Sequence, residues 1–318
     1  MQFLRHSSLV LIACTTGYFE ELGASHTHSP KAGLGLNASM GDTHNLGDLE
    51  GPYVLRGWSP LSILKTYESE RRTYAQELID FGKWFSKLFS GKPCTDASEN
   101  QDGVTHEQFV SAFKTASGFT SGIAIRYRPS SIVNGTHQSI ASNLVIGERM
   151  IPHAFIRAAS SQPIEVQDML PADTRFNVLV FAGNIADETD CAKLEALSEE
   201  LNKPENFLRR YRCGDSGKWQ AFDVACFSAV TKDKVGFFDF PEFKLQTDFL
   251  SIVNLALRRA LLDDKDKHGR SGGGGYAKYD IDEHAGAIVV VRPDGYVGTV
   301  APLEDIAFLN SYFAAFLL

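Results

Sequence analysis

Chemistry could sit in the stretch His26-Thr27-His28-Ser29-Pro30-Lys31-Ala32-Gly33-Leu34-Gly35-Leu36-Asn37, followed by Ala38-Ser39-Met40-Gly41-Asp42-Thr43-His44-Asn45-Leu46. Glycines at 33 and 35 let backbone approach a ligand closely, and a helix opening near Gly35 to Asn37 would aim unpaired N–H groups at an anionic or carbonyl-rich acceptor. His26, His28, Asp42 and His44 have the ligand types of a zinc or iron site. The same residues at the same spacing also serve as hydrogen-bonding members of a turn and helix, which is the reading we adopt. No metal is expected.

The elements needed to hold that turn follow it. Ser59-Pro60 reads as an N-cap with proline at the first helical position. Leu61, Leu64, Tyr67, Tyr74, Leu78, Phe81, Phe85 and Leu88 then recur in steps of three and four, with Arg71 filling the one gap, and Gly91-Lys92-Pro93 ends the run. This predicts a long amphipathic helix with one buried stripe. Pro52 after Gly51 is expected to interrupt the segment before it. Lys65, Glu68, Glu70, Arg71 and Arg72 are expected to form a solvated face. The polar stretch from Cys94 to Gly103 reads as a linker.

Downstream, Ile123–Arg128 alternates like a half-buried strand, with Arg126 and Arg128 flanking Tyr127. From Pro171 the pattern becomes regular, with a strand at Phe176–Ala182, helical spacing at Leu194, Leu197 and Leu201, and a strand at Phe222–Ser228. A helix over Phe249–Leu262, a strand at Ala287–Val291, a turn at Arg292-Pro293-Asp294-Gly295, a strand at Tyr296–Val300 and a helix over Pro302–Leu318 complete it. The order β-α-β-α-β-β-α is a thioredoxin-like α/β layout. Its dithiol is missing, because only Cys191 and Cys213 lie near, far apart in sequence, so a scaffold role is expected rather than a redox one. Asp263–Gly275 reads as a mobile loop, since its four glycines lack the GK[ST] of a phosphate cradle.

The chain has 318 residues, 43% of them hydrophobic and 22% charged, with a formal net charge of −8. Its field repels phosphodiester backbones and anionic lipid, so neither nucleic acid nor membrane is an expected partner. Five scattered cysteines without a CxxC pair fit reduced thiols and a cytoplasmic protein. The apolar run in Met1–Gly17 is shorter than a secretory signal requires, and no stretch reaches the ~18 apolar residues of a membrane span.

HTHSPKAGLGLNASMGDTHNL, and then VLRGWSPLSILKTYESERRTYAQELIDF, resemble the second flavin-contacting motif and following helices of FAD-dependent aromatic hydroxylases of the phenol 2-monooxygenase family. SGIAIRYRPSSIV, LVIGERMIPHAFIRA, QDMLPADTRFNVLVFAG and YAKYDIDEHAGAIVVVRPDGYVG resemble that family's C-terminal thioredoxin-like dimerisation domain. Residues 1–22 read as a leader of uncertain structure, and the resemblance implies the C-terminal part of an FAD-binding domain over 23–93. A linker over 94–119 and a thioredoxin-like dimerisation domain over 120–318 would follow. It further implies hydroxylation of a phenolic substrate with FAD, NADPH and O2 in a homodimer. Pro30 would pack beside the flavin, and Gly33, Gly35, Leu36 and Asn37 would border its pyrimidine side. No catalytic residue can be placed.

Two departures accompany the matches. Where the family has Gly-Asp-Ala ahead of the histidine, this sequence has Leu22-Gly23-Ala24-Ser25, without the carboxylate. No GxGxxG follows a strand. A ring-edge motif alone offers few contacts for tight binding, so the chain is expected to purify colourless and not to consume NADPH with phenol. The alternative expectation is a truncated homologue that acts as a dimerisation or binding module.

Overall fold

A computed structural model describes residues 35–90, 125–211, 221–235 and 259–318, with residues 107, 110, 239 and 240 as isolated positions. The leader over 1–22, Pro30, Gly33 and nearly all of the linker over 94–119 lie outside the described residues. The chain divides into two compact units, residues 1–55 with 61–126, and residues 56–60 with 127–318.

The first unit is helical. Helix α1 is Gly35–Asn45, a π-helical turn covers Leu46–Glu50, and α2 is Gly51–Leu55. A 3-10 turn over Leu61–Ile63 leads into α3, Leu64–Ser90, the long helix that the spacing predicted. Pro52 does not interrupt the chain. It stands in the first turn of α2, where its missing N–H costs nothing, and the wide turn ahead of it absorbs the change of register, the Gly51 N–H donating to the Leu46 carbonyl. A Cβ on Gly51 would come within 2.7 Å of that carbonyl oxygen, so glycine is required there.

Ile63, Tyr67, Tyr74 and Leu78 form the buried stripe of α3 and its approach, whereas Leu61, expected within it, is exposed. The charge-rich stretch divides. Lys65 and Arg72 are exposed and Glu68 is half-buried, but Glu70 and Arg71 are buried, contrary to the expectation of a wholly solvated face.

The second unit is built on one sheet. Its strands are β1 Ala154–Arg157, β2 Pro163–Glu165, β3 Phe176–Phe181, β4 Phe222–Ser228, β5 Ala260–Leu262, β6 Ala287–Val291 and β7 Val297–Ala301, ordered β2-β1-β5-β4-β3-β6-β7. Strands β3 and β4 run parallel, and β6 runs antiparallel to β3 and pairs with β7 as a hairpin. The run β4-β3-β6-β7, with α4 Glu188–Leu201 between the parallel strands and α7 Ile306–Ala314 after the hairpin, is the thioredoxin-like core.

Every residue of β3, β4, β6 and β7 is buried, as strands covered on both faces must be. Side chains alternate between those faces. On one, Phe176 and Phe222 meet Phe313 of α7 at 5.6 and 4.8 Å between ring centroids, and Phe207 of α5, Phe207–Arg210, stacks on Phe313 at 4.6 Å. On the other, Phe181 stacks on Phe227 at 4.7 Å and meets Tyr276 and Tyr279 of α6, Gly275–Tyr279.

Two sequence expectations fail here. Residues 125–128 are not a strand; the Tyr127 N–H instead bonds the Gly147 carbonyl at 2.9 Å. Residues 260–262, expected in a helix, form β5 beside β4, because Ala260, Leu261 and Leu262 are buried in the sheet and their pairing with β4 overrides helix propensity. The rest of that expected helix, up to residue 258, lies outside the described residues.

The turn from β6 to β7 forms as expected, with Gly295 at φ +82°. Arg292 within it is fully buried, bound to Asp294 through Nε at 3.1 Å and Nη2 at 2.6 Å, and its guanidinium lies over the Tyr127 ring at 5.1 Å.

Candidate functional site: the N-terminal turn of helix α1

Gly35 opens α1, and Leu36 and Asn37 lie in its first turn. That turn carries no acidic residue, and Asn37 is exposed. A helix presents about half a positive charge and its unpaired N–H groups at this end, so an electron-rich ring edge or an anion meets donors there with no carboxylate to repel it. By the chemistry of its donors, the turn fits the carbonyl edge of a flavin. Gly35, Leu36 and Asn37 are thus brought together at one helix end, while Pro30 and Gly33 lie outside the described residues.

The opposite side of α1 is clamped to α3. Ala38, Asp42 and Asn45, spaced four and three apart, fall on one buried stripe. The Arg71 Nε donates to Asp42 Oδ1 at 2.6 Å, and its Nη2 donates to the Ala38 carbonyl at 3.3 Å. Asn45 Nδ2 donates to Glu70 Oε2 at 2.9 Å. Both members of the Asp42–Arg71 ion pair are buried, at 1% and 3% exposure. The Arg71 guanidinium also lies over the Tyr74 ring at 4.5 Å. Ala38 packs with Tyr74 and Leu78, joined by Phe81 and Ile125.

Sequence reading missed Glu70 and Arg71. The available signal was the gap in the apolar stripe, since a charged residue on a stripe aimed at the core must find a partner there. Of the four residues weighed as metal ligands, Asp42 is committed to Arg71, and His44 Nε2 lies 3.0 Å from Asp48 Oδ2, while His26 and His28 lie outside the described residues. Among the described residues no three His, Cys, Asp or Glu side chains converge as a metal site would need.

In the sheet unit, Cys226 is buried on β4 and burial pushes its thiol far up, while burial and the charges of Glu195 and Asp239 raise Cys191. Raised thiols are poor nucleophiles. The segment Asp263–Gly275, expected to be a mobile loop, follows a defined path. The Asp263 carboxylate accepts from the N–H groups of Gly275 and Tyr276 at 2.8 and 2.9 Å, and Asp266 accepts from Arg270 N–H at 2.7 Å. Burial presses the Asp263 carboxyl upward, but the nearby His153 imidazole and those two N–H donors outweigh it, and the group titrates below the usual carboxylate range. No helix among the described residues is long and apolar enough to cross a membrane.

The sequence family described as phenol hydroxylase, C-terminal dimerisation domain, matches residues 125–318, and the FAD binding domain family matches residues 23–82. A relative from Comamonas testosteroni, a 3-hydroxybenzoate 4-monooxygenase, is 32% identical over 310 residues, covering 92% of this chain and 45% of that protein. Phenol 2-monooxygenase fsqG from Aspergillus fumigatus is 28% identical over 318 residues, covering 98% and 48%. The solved flavin-dependent monooxygenase PieE, in complex with FAD and substrate, superposes with a TM-score of 0.48 at 17% identity, over 91% of this chain and 45% of that one. The chain spans about half the length of the curated relatives it matches.

The FAD-binding match, which takes in the first turn of α1, and the dimerisation-domain match, which takes in the sheet unit, are together those of the flavin-dependent aromatic hydroxylases. The dimerisation-domain match covers more than half of the sequence. The chain belongs to the phenol hydroxylase family of FAD-dependent aromatic hydroxylases.

Proposed function

We propose that this chain takes part in hydroxylation of a phenolic ring with FAD, NADPH and O2, as a cytoplasmic homodimer. The ranges expected from the sequence divide this work, residues 23–93 for the flavin side, 94–119 as a linker and 120–318 for subunit pairing. The observation that carries the reading is the first turn of α1, donor-rich and free of carboxylate, within the segment matched by the FAD-binding family.

FAD supplies the oxygen chemistry when bound. Pro30, Gly33, Gly35, Leu36 and Asn37 would hold it, the glycines by close backbone approach and Asn37 with the first-turn N–H groups by donating to the ring edge. Helix α3 keeps that turn in place through the Asp42 and Asn45 contacts. The names of the relatives support phenol and 3-hydroxybenzoate as the first substrates to try.

The test is titration of the purified chain with FAD, followed by flavin fluorescence and visible circular dichroism, with sedimentation in parallel. The reading expects a saturable change in both signals and a dimer. Hydroxylated product formed from phenol on addition of NADPH would extend it to the complete reaction. No change with FAD, together with a dimer, would leave the chain as a pairing module alone.

A further inference from the structure

We infer that Arg71, gripping Asp42 and Ala38 of α1, is a positioning residue that sets the rotation and depth of that helix, and so aims its first-turn N–H groups; this rests on the flavin reading above. One guanidinium holds two points a helical turn apart, a side chain at position 42 and the main chain at position 38. Its planar fork makes both bonds directional, where a lysine would offer a point charge. The Tyr74 ring beneath it supports the fork from α3.

A single contact would leave α1 free to pivot. The second, Asn45 to Glu70, lies three residues further along α1 and comes from the residue next to Arg71 on α3. Two directional contacts on one stripe fix the angle about the helix axis as well as the distance. Gly41 makes room for this approach, since a Cβ there would sit 3.1 Å from Arg71 Nη2.

Energetics point the same way. Burying a charge pair costs desolvation that its attraction only roughly offsets, so apolar residues of similar volume would hold the two helices about as firmly. They would do so without a fixed rotation. Ala38, the α1 member of the apolar cluster, is too small to supply one. The pair therefore contributes orientation more than stability.

The experiment uses the full chain as wild type, Arg71→Met, Arg71→Lys and the double variant Asp42→Leu with Arg71→Met. Its readouts are thermal melting, amide hydrogen exchange and FAD titration. Arg71→Met takes the guanidinium away from a buried carboxylate, and exchange over residues 36–46 should accelerate about tenfold or more while residues 176–181 and 287–301 keep their protection. Arg71→Lys should fall between the two. The double variant removes both charges of the Asp42–Arg71 pair and should melt closer to wild type than Arg71→Met does, yet bind FAD about tenfold more weakly, with an altered visible circular dichroism band.

A double variant with wild-type affinity and spectrum would overturn the inference, as would unchanged exchange over 36–46 in Arg71→Met. Should Arg71→Met fail to fold, Arg71→Lys and the double variant still decide it. If FAD leaves wild type unaltered while exchange over 36–46 depends on Arg71, the positioning stands and the flavin reading falls. If wild type binds FAD and every variant binds it identically, the reverse holds.

Discussion

The two units hold their helices in different ways. In the first, α1 meets α3 through directional polar bonds from Arg71 to Asp42 and Ala38 and from Asn45 to Glu70, with the small Ala38 among its apolar contacts at the seam. In the second, α7 meets the sheet through rings, Phe313 alone touching Phe176, Phe207, Phe222, Tyr312 and Phe316, while its polar bonds, Asn310 to Phe207 N–H and Asn206 and the Tyr312 hydroxyl to the Ile132 carbonyl, go to α5 and a loop rather than to the sheet. Apolar packing is roughly proportional to buried area and is forgiving of small rotations, whereas a charge-assisted bond weakens steeply with angle. An element that has to aim something benefits from the second kind of contact, and one that has only to stay in place from the first.

That contrast can be broken or sharpened by substitution. Phe313→Ala should cost about 3–5 kcal/mol, because it opens a cavity among five rings, and a melting curve should show a large loss for the sheet unit. Phe313→Leu should recover much of it; failure to do so would mean that ring geometry, rather than volume, holds α7.

Arg292 is one exception within the second unit, a fully buried cation held by Asp294. Arg292→Met leaves that carboxylate buried without its guanidinium and should cost about 3 kcal/mol, read from urea unfolding. A cost near zero would show that the turn relaxes to bring Asp294 into water.

Asp263→Asn weakens the acceptor of two main-chain N–H groups at the start of α6 and should cost about 1–2 kcal/mol at neutral pH. Its carboxyl titrates below the ordinary range in the folded state, so its contribution is fully present above the unfolded value near 3.8 and is lost as pH falls through the folded value. The difference in urea midpoint between wild type and Asp263→Asn should therefore be present at pH 5 and shrink below about pH 4. A difference that goes on growing below about pH 4 would contradict the assignment.

Arg72→Ala should give the smallest effect, about 0.5 kcal/mol or less, since Arg72 is 69% exposed and its bond to Glu68 at 3.2 Å is screened by water. Adjacent arginines on one helix thus bracket the range, and a melting shift for Arg72→Ala as large as that for Arg71→Met would erase the distinction drawn here.

Much of the sheet unit could be read from the chain in order. Phe176–Phe181 and Phe222–Ser228 are apolar runs of strand length, the leucines at 194, 197 and 201 keep helical spacing, and Pro293-Asp294-Gly295 carries its turn in its own dihedral preferences. Each of these signals is local. Ala260–Leu262 was misread because three helix-forming residues become a strand only where β4 offers an edge. Arg71 was misread for a related reason, as its neighbours on α3 are charged, and a solvated face is the usual outcome of such a run.

Composition, periodicity and turn chemistry by themselves determined that a long helix follows the glycine turn and that a thioredoxin-like α/β unit follows later, because those features depend on residues within a few positions of one another. Only the tertiary structure decided which of two neighbouring arginines enters the core and which stripe of α1 is clamped. Those outcomes depend on partners 25 to 33 residues away along the chain, and burial of a charge is settled by the partner it finds.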